Sequence, residues 1–403
     1  MRVAHLSDIH YCDKYLDEVD RCMGAAVEYL QANRPDAIVL SGDTFDHRLE
    51  QSSPAFLACL ERVCQLGHIA PVLILQGTLS HDAPNAVRVF RHLHTAYPVH
   101  VADRIEQVYL SQSRSWTASE GWTFGPDWIP PPYEQGALFS CLPSVNKGMV
   151  AAAVGAENAA HEAGNAVAAL LKSWAPIHQQ ARTLGLPTVV VSHGTVNGSV
   201  TEHGVMMAGP DHEFTVGALA ASCADAVLLG HVHKHQAWEH EGCVIAYAGS
   251  LGRLHFGEMD AKGFLVWTID AQGATAEFIE TPARRLVDLE FPGAPDLAEV
   301  ARIAATLPPG CHVRLRYSLD EEHRASVDRD ALAAMFATAA AVKVEGRIAP
   351  VSRQRAAGIS QAPSLTEQLR AWCALTQTDA EPLVTRLEAL RSQSIQQITE
   401  ALT

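Results

Sequence analysis

Five short apolar runs in this chain each end in aspartate or histidine, and that repetition constrains the fold more than any other feature. Asp8-Ile9-His10 follows residues 3–6. Gly42-Asp43-Thr44-Phe45-Asp46 follows Ala37–Leu40, and Gly77-Thr78-Leu79-Ser80-His81-Asp82 follows Val72–Leu75. His193-Gly194 follows residues 188–192, and Gly230-His231-Val232-His233 follows residues 226–229. Runs this rich in Val, Ile and Leu, alternating with stretches of helical period such as residues 16–33 and 54–66, predict an α/β fold with buried strands. In α/β sheets the carboxyl ends of the strands are where ligands gather. A lone Asp-x-His or Gly-Asp is ordinarily a turn, and a lone histidine at a strand end is ordinarily a hydrogen-bonded structural residue. His-x-His on an extended chain places both imidazoles on one side. Five such features at five strand ends are not independent accidents, and they point to one site.

The residue types indicate its chemistry. Carboxylate and imidazole donors without thiolate suit divalent Mn, Fe or Zn rather than Ca or Mg. Two such ions roughly 3.5–4 Å apart can share a carboxylate and a bridging hydroxide, and can clamp a phosphoryl group during in-line displacement. Asp43 supplies a carboxylate for the bridge. Asp8, His10, His193, His231 and His233 supply enough further donors for two half-sites.

Further strands are predicted at residues 244–247 and 264–269, and an Ala-rich stretch at 149–184 reads as one or two helices. Between them and the early strands lies a Trp/Pro-rich loop, residues 115–133. The pattern changes near Thr281-Pro282. Strands at 286–291, 313–317 and 342–348 with a helix at 328–341 make a small α+β unit. A linker at 353–363 precedes helices at 365–375 and 380–402, the latter striped with Leu383, Leu387, Leu390, Ile395, Ile398 and Leu402. The expected organisation is therefore 1–283, 284–352 and 353–403.

Composition narrows the class. The formal net charge of −15 argues against a protein that coats nucleic acid non-specifically. It does not exclude a nuclease, because carboxylates at a metal site count as negative until cations bind. The nine cysteines are scattered, without a C-x-x-C, so neither a disulfide framework nor a structural zinc site is expected. No apolar run reaches the roughly 20 residues needed to span a bilayer. MRVAHLSDIH reads as a strand rather than a signal peptide, and the expected location is the cytoplasm.

Taken together, the five segments resemble the D-x-H, G-D-x-x-D, G-N-H-D, G-H and G-H-x-H motifs of the calcineurin-like metallophosphoesterase superfamily, over about residues 1–280. The resemblance implies a β-sandwich flanked by helices. It implies that Asp8, His10, Asp43 and His233 hold one metal, and that Asp43, His193 and His231 hold the other. His81 would be the acid that protonates or steadies the leaving oxygen, oriented by Asp46. One position departs from the pattern. Where the family has an Asn ligand this chain has Ser80, counting back from His81, or Thr78, registering on Gly77.

Tyr247-Ala248-Gly249-Ser250-Leu251-Gly252-Arg253-Leu254-His255-Phe256-Gly257-Glu258 is similar to the Y-x-G-S-x-x-R-x-x-F-x-E segment of SbcD-type nuclease subunits. That likeness implies a DNA phosphodiesterase using a hydroxide activated by two metal ions, Mn foremost with Fe or Zn as the others. It makes Arg253 a candidate substrate contact. It further implies an SbcC-like coiled-coil ATPase that docks on the C-terminal helices, and it admits a homodimer. Two other readings share the motifs: a standalone phosphodiesterase for small molecules such as cyclic nucleotides, and a degenerate subunit that binds DNA ends.

Overall fold

The computed structural model describes residues 1–125, 127–128, 136–144, 159–201, 213–270, 273–349, 358–394 and 397, without the side chains of 159–163. The chain divides into two compact units. One comprises Met1–Leu289, Ala304–Arg314 and Phe336–Lys343, and the other Glu290–Ile303, Leu315–Met335 and Val344–Thr403.

The first unit contains β1 (Arg2–Leu6), β2 (Ala37–Leu40), β3 (Val72–Leu75), β4 (Val99–Ala102), β5 (Glu106–Ser111), β6 (Trp116–Ala118) and β7 (Gly136–Leu142). After two helices come β8 (Thr188–His193), the short β9 (Thr195–Val196) and β10 (Glu213–Phe214), β11 (Ala226–Gly230), β12 (Gln236–His240), β13 (Cys243–Tyr247), β14 (Gly263–Asp270) and β15 (Gly273–Glu280). They build a six-stranded sheet, β15-β14-β1-β2-β3-β4, and a seven-stranded sheet, β12-β13-β11-β8-β7-β5-β6, with β9 and β10 as a separate pair.

Strand alternation decides what each sheet face meets. Val3, Val39, Leu73 and Leu75 point inward against Phe139, Val189, Val191 and Leu228 of the other sheet, forming a dry layer between the two. Their neighbours Ala4, Leu6, Ile38, Leu40 and Ile74 point outward and are covered by α1 (Leu16–Ala32) and α2 (Pro54–Gly67). On the far side, Val190, Val227, Leu229 and Ile245 are covered by α3 (Ala159–Ser173) and α5 (Val216–Ala220), while α4 (Ala175–Thr183) packs Ile177 and Ala181 on Leu138. The result is the expected β-sandwich flanked by helices.

Register places the site. Leu6 lies opposite Leu40, and Leu40 opposite Ile74, so the parallel β1, β2 and β3 end level. In the other sheet Gly230 lies opposite His193. The five strand ends therefore come from two sheets, three from one and two from the other, rather than from one open edge.

A three-stranded sheet, β16 (Leu286–Phe291), β17 (His312–Asp320) and β18 (Ala341–Ala349), has β17 in the middle. With α6 (Leu297–Ala304) and α7 (Arg329–Ala334) it gives the α+β character expected there. In the second unit α8 (Leu365–Thr376) and α9 (Glu381–Ser392) bury Cys373 and Val384 but leave Leu365, Trp372, Leu375 and Leu390 exposed.

Several elements differ from expectation. The helix at 328–341 is cut to Arg329–Ala334, because Ala340 N–H donates to the Cys311 carbonyl and Gly310 N–H to the Thr338 carbonyl, which draws the chain into β18. The Ala-rich stretch is two helices broken at Trp174, with Pro176 starting the second, and residues 149–158 lie outside the described residues. So do Ile395, Ile398, Leu402, part of the 353–363 linker and Pro130–Pro132 of the Trp-rich loop. Two tryptophans of that loop pack, Trp128 stacked on Phe124 at 4.3 Å and Trp116 edge-on to Phe139 at 5.5 Å, while Trp122 is exposed and only its main-chain carbonyl is engaged, by the Trp174 indole.

Candidate metal centre

Past the ends of β1 and β2 the two chains continue side by side. Ile9 and His10 N–H both donate to the Asp43 carbonyl at 3.0 Å, and Tyr11 N–H donates to Thr44. In this stretch Asp8, His10 and Asp43 hold positive φ of 48°, 56° and 51°, and His231 across the site holds 104°. Left-handed backbone at four non-glycine residues is costly and persists where surrounding structure over-determines it. Here it turns the donor side chains into a common space.

Glycines let the loops approach closely. A Cβ at Gly42 would sit 2.3 Å from His193 Nδ1, one at Gly77 2.3 Å from Asp43 Oδ1, and one at Gly230 2.7 Å from His193 Nδ1. Each of the three strand-end glycines thus makes room for a donor.

The donor atoms converge in two neighbouring groups, Asp8–His10–His233 and Asp43–His193–His231, each with its ligand atoms within 4.8 Å of one another. Asp8, His10, Asp43 and His193 are buried. His10 Nε2 and His233 Nε2 are 2.9 Å apart, and Asp43 Oδ2 lies 3.2 Å from His193 Nε2 and 3.9 Å from His10 Nε2. Asp43 therefore stands between the groups. The rings are oriented from behind: His193 Nδ1 donates to the Ser41 carbonyl at 2.8 Å, and His233 Nδ1 to Glu258 Oε1 at 3.0 Å. That leaves both Nε2 atoms facing the cluster. His10 Nδ1, among the described residues, has no hydrogen-bond acceptor, and Asp46 Oδ1 is 3.8 Å away.

The protonation states suit cations. Burial lowers the pKa of His10 to about 4, aided by neighbouring His233, so the ring is neutral. Burial alone would raise Asp43, but His193, His10 and His81 pull it well below the usual carboxylate range. For His193 burial works against charge, but Asp43, Asp8 and the Ser41 carbonyl outweigh it and raise the pKa to about 10. A proton on His193 balances Asp43 where a cation would otherwise do so. Carboxylates and imidazoles in two adjoining groups, with Asp43 standing between them, and no thiolate form a donor set that fits two divalent ions.

The remaining expected residues fall into place unevenly. His81 Nδ1 is held by the main-chain carbonyl of Asp46, not by its carboxylate, which is 3.1 Å from His47 Nδ1. The His81 ring stands edge-on to His10 at 4.7 Å. Ser80 is exposed at the turn and does not take the Asn position. The hydroxyl that does reach the cluster is that of Thr78, 3.3 Å from Asp43 Oδ2 and 3.2 Å from His193 Nε2. Of the two hydroxyls, that of Thr78 is the one beside Asp43 and His193.

Arg253, a candidate substrate contact in the sequence, is held by its own chain. Its guanidinium donates to the carbonyls of Glu258, Ala283, Arg284 and Asp260 at 2.8–3.3 Å, which leaves little to offer a substrate. It clamps the loop instead.

Two carboxylates that sequence reasoning quoted without a role are part of the centre's support. Asp82, fully buried, accepts from Thr44, Phe45 and Gly77 N–H at 3.3, 3.1 and 2.9 Å. It ties the loop carrying Asp43 to the loop carrying Thr78. Burial and the Asp43 charge push its pKa up to about 6. Glu258, also fully buried, meets His233, His255, Lys262 and Leu254 N–H. Burial opposes its charge, but His233 and Lys262 outweigh that and hold its pKa at about 2.

A two-sheet sandwich with a carboxylate–imidazole centre at its strand ends defines a metal-dependent phosphoester hydrolase. Residues 1–235 match the calcineurin-like phosphoesterase family, and the chain belongs to it. No curated protein matches the chain. Among solved structures it is similar to GAP50, the anchor in the inner membrane complex of Plasmodium, at 13% identity over 70% of this chain and 85% of that one, with a TM-score of 0.42. It is similar to a Vps29 mutant from Entamoeba histolytica at 11% identity, 70% and 99% coverage and a TM-score of 0.26. It is also similar to the phosphopantetheinyl hydrolase of Mycobacterium tuberculosis at 12% identity, 62% and 89% coverage and a TM-score of 0.28. Among the described residues no helix is long and apolar enough to cross a membrane.

Proposed function

We propose that this hydrolase is a DNA nuclease of the SbcD type, cutting phosphodiester bonds with two divalent cations, Mn foremost, and working with an SbcC-like coiled-coil ATPase. The observation that carries the reading is the segment Tyr247–Glu258, whose residues match the SbcD pattern and close round the His233 side of the centre. Tyr247 OH donates to the Gly194 carbonyl and accepts from Val196 N–H, Ser250 meets Lys262 Nζ, and Glu258 meets His233. The exposed apolar side chains of α8 and α9 suit a helical partner, and a second copy of the chain fits the same proposal.

Bound cations would neutralise the phosphodiester and acidify water. The chain's own residues do the rest. Asp43 stays ionised between the two groups, and His10 stays neutral. His81 is fixed through Nδ1–H by the Asp46 carbonyl, and when the ring carries a second proton on Nε2 it can give that proton to the departing sugar oxygen, leaving the neutral Nδ1–H ring.

The test is Mn-dependent hydrolysis of linear DNA by wild type and His81→Ala, with metal content measured in both. The reading expects cleavage that falls by about 10²–10⁴-fold in the variant with metals retained. A metal-loaded wild type that ignores DNA, alone and with its ATPase, yet hydrolyses a small phosphodiester would replace it with the cyclic-nucleotide-type reading. DNA-end binding without any hydrolysis would replace it with the degenerate one.

A further inference from the structure

We infer that Glu258 is a positioning residue of the metal centre: it fixes the tautomer and tilt of His233 and so sets how tightly the Asp8–His10–His233 group holds its cation. The inference rests on the reading of that cluster as a metal site and not on DNA being the substrate.

An ionised carboxylate only accepts hydrogen bonds. With Glu258 Oε1 3.0 Å from His233 Nδ1, that nitrogen must carry the ring proton, and the Nε2 lone pair is left facing His10 Nε2 at 2.9 Å. The opposite tautomer would put a proton where a cation must bind. The carboxylate itself cannot drift. Its Oε1 also meets His255 Nε2 at 3.2 Å, and His255 is set as the donor there because its Nδ1 accepts from Gly257 N–H. Its Oε2 accepts from Leu254 N–H at 2.8 Å and lies 3.4 Å from Lys262 Nζ. Lys262 in turn donates to the His233 carbonyl and to Ser250 Oγ, and Arg253 Nε donates to the Glu258 carbonyl. The carboxylate is thus tied at both ends to the ligand it orients.

The second group is built differently, because His193 leans on a neutral main-chain carbonyl, that of Ser41. A carboxylate behind a metal-bound imidazole raises its basicity more than an amide carbonyl does.

The experiment titrates Mn into the metal-free full chain by calorimetry and reads the His233 tautomer by ¹⁵N NMR, assigning the signal with His233→Gln. Glu258→Gln should weaken one of two binding events by about 10–100-fold and leave the other, while His233 shifts away from the Nδ1–H form. Glu106→Gln, which removes a buried carboxylate that bonds His100 and Arg104, should change neither reading. If Glu258→Gln fails to fold because Lys262 loses the Glu258 carboxylate, the double variant Glu258→Gln/Lys262→Met removes that charge and gives the same comparison. A folded variant that keeps both wild-type affinities, or keeps the Nδ1–H tautomer, overturns the inference. A wild type that binds no Mn overturns the metal-site reading beneath it, which is a separate and distinguishable result.

Discussion

Removing the Asp82 carboxylate tests how the strand-end loops are held. Oδ2 accepts from Gly77 and Thr44 N–H and Oδ1 from Phe45 N–H, at a position with no solvent exposure. Asp82→Ala leaves three buried donors unpaired at about 1–3 kcal/mol each, and with relaxation and relief of the repulsion from Asp43 offsetting part of that, the expected loss is about 2–5 kcal/mol. That is a large part of the roughly 5–15 kcal/mol available to a domain. Asp82→Asn is the graded control. Its one carbonyl oxygen can serve Gly77 and Thr44, while its NH₂ faces the Phe45 donor, so about 1–3 kcal/mol should be lost. Urea unfolding of the metal-free chain measures all three proteins, and the order wild type, Asn, Ala follows from the geometry. Asp82→Ala within about 1 kcal/mol of wild type would refute the reasoning, since three stranded donors cannot cost so little.

Other expectations follow from single contacts. Thr78→Val keeps the shape but removes the hydroxyl beside Asp43 and His193, and should weaken Mn binding there by about tenfold in calorimetry. Thr78→Asn restores an amide oxygen and should tighten the same event. Buried His178, whose pKa burial lowers to about 4, is neutral in the fold and charges on unfolding. Its contribution is present above pH 6.5 and is lost as pH falls towards 4, about 2 kcal/mol by pH 5. The difference between wild type and His178→Gln, followed by urea unfolding from pH 7 to 5, should shrink by that amount. Arg253→Lys forfeits the fork that reaches four carbonyls, so it should lower the melting temperature and leave KM unchanged.

What could be read in the sequence was what chemistry forces onto particular residue types. Divalent cations need carboxylates and imidazoles, and buried strands need unbroken apolar runs, so Asp8 to His233 and the strands bearing them stood out. Distance hid the rest. Glu258 is 25 positions from the histidine it orients, and nothing in the local pattern links them. Thr78 and Ser80 are chemically alike, and only the backbone register decides which hydroxyl meets Asp43. The likeness marks Arg253 as a candidate substrate contact, and its bonds to four carbonyls leave no pattern in sequence. β5 was missed for the same reason: buried Gln107 looks wrong for a strand interior until its bonds to Ser140 and to Phe124 N–H are seen.

The central claim is that two cations sit where the ends of the two sheets meet. Anomalous diffraction from Mn-soaked crystals of the full chain measures this directly. The account expects two peaks roughly 3.5–4 Å apart, one against Asp8, His10 and His233, the other against His193 and His231, with Asp43 touching both. A single peak, or two that do not share Asp43, would contradict it.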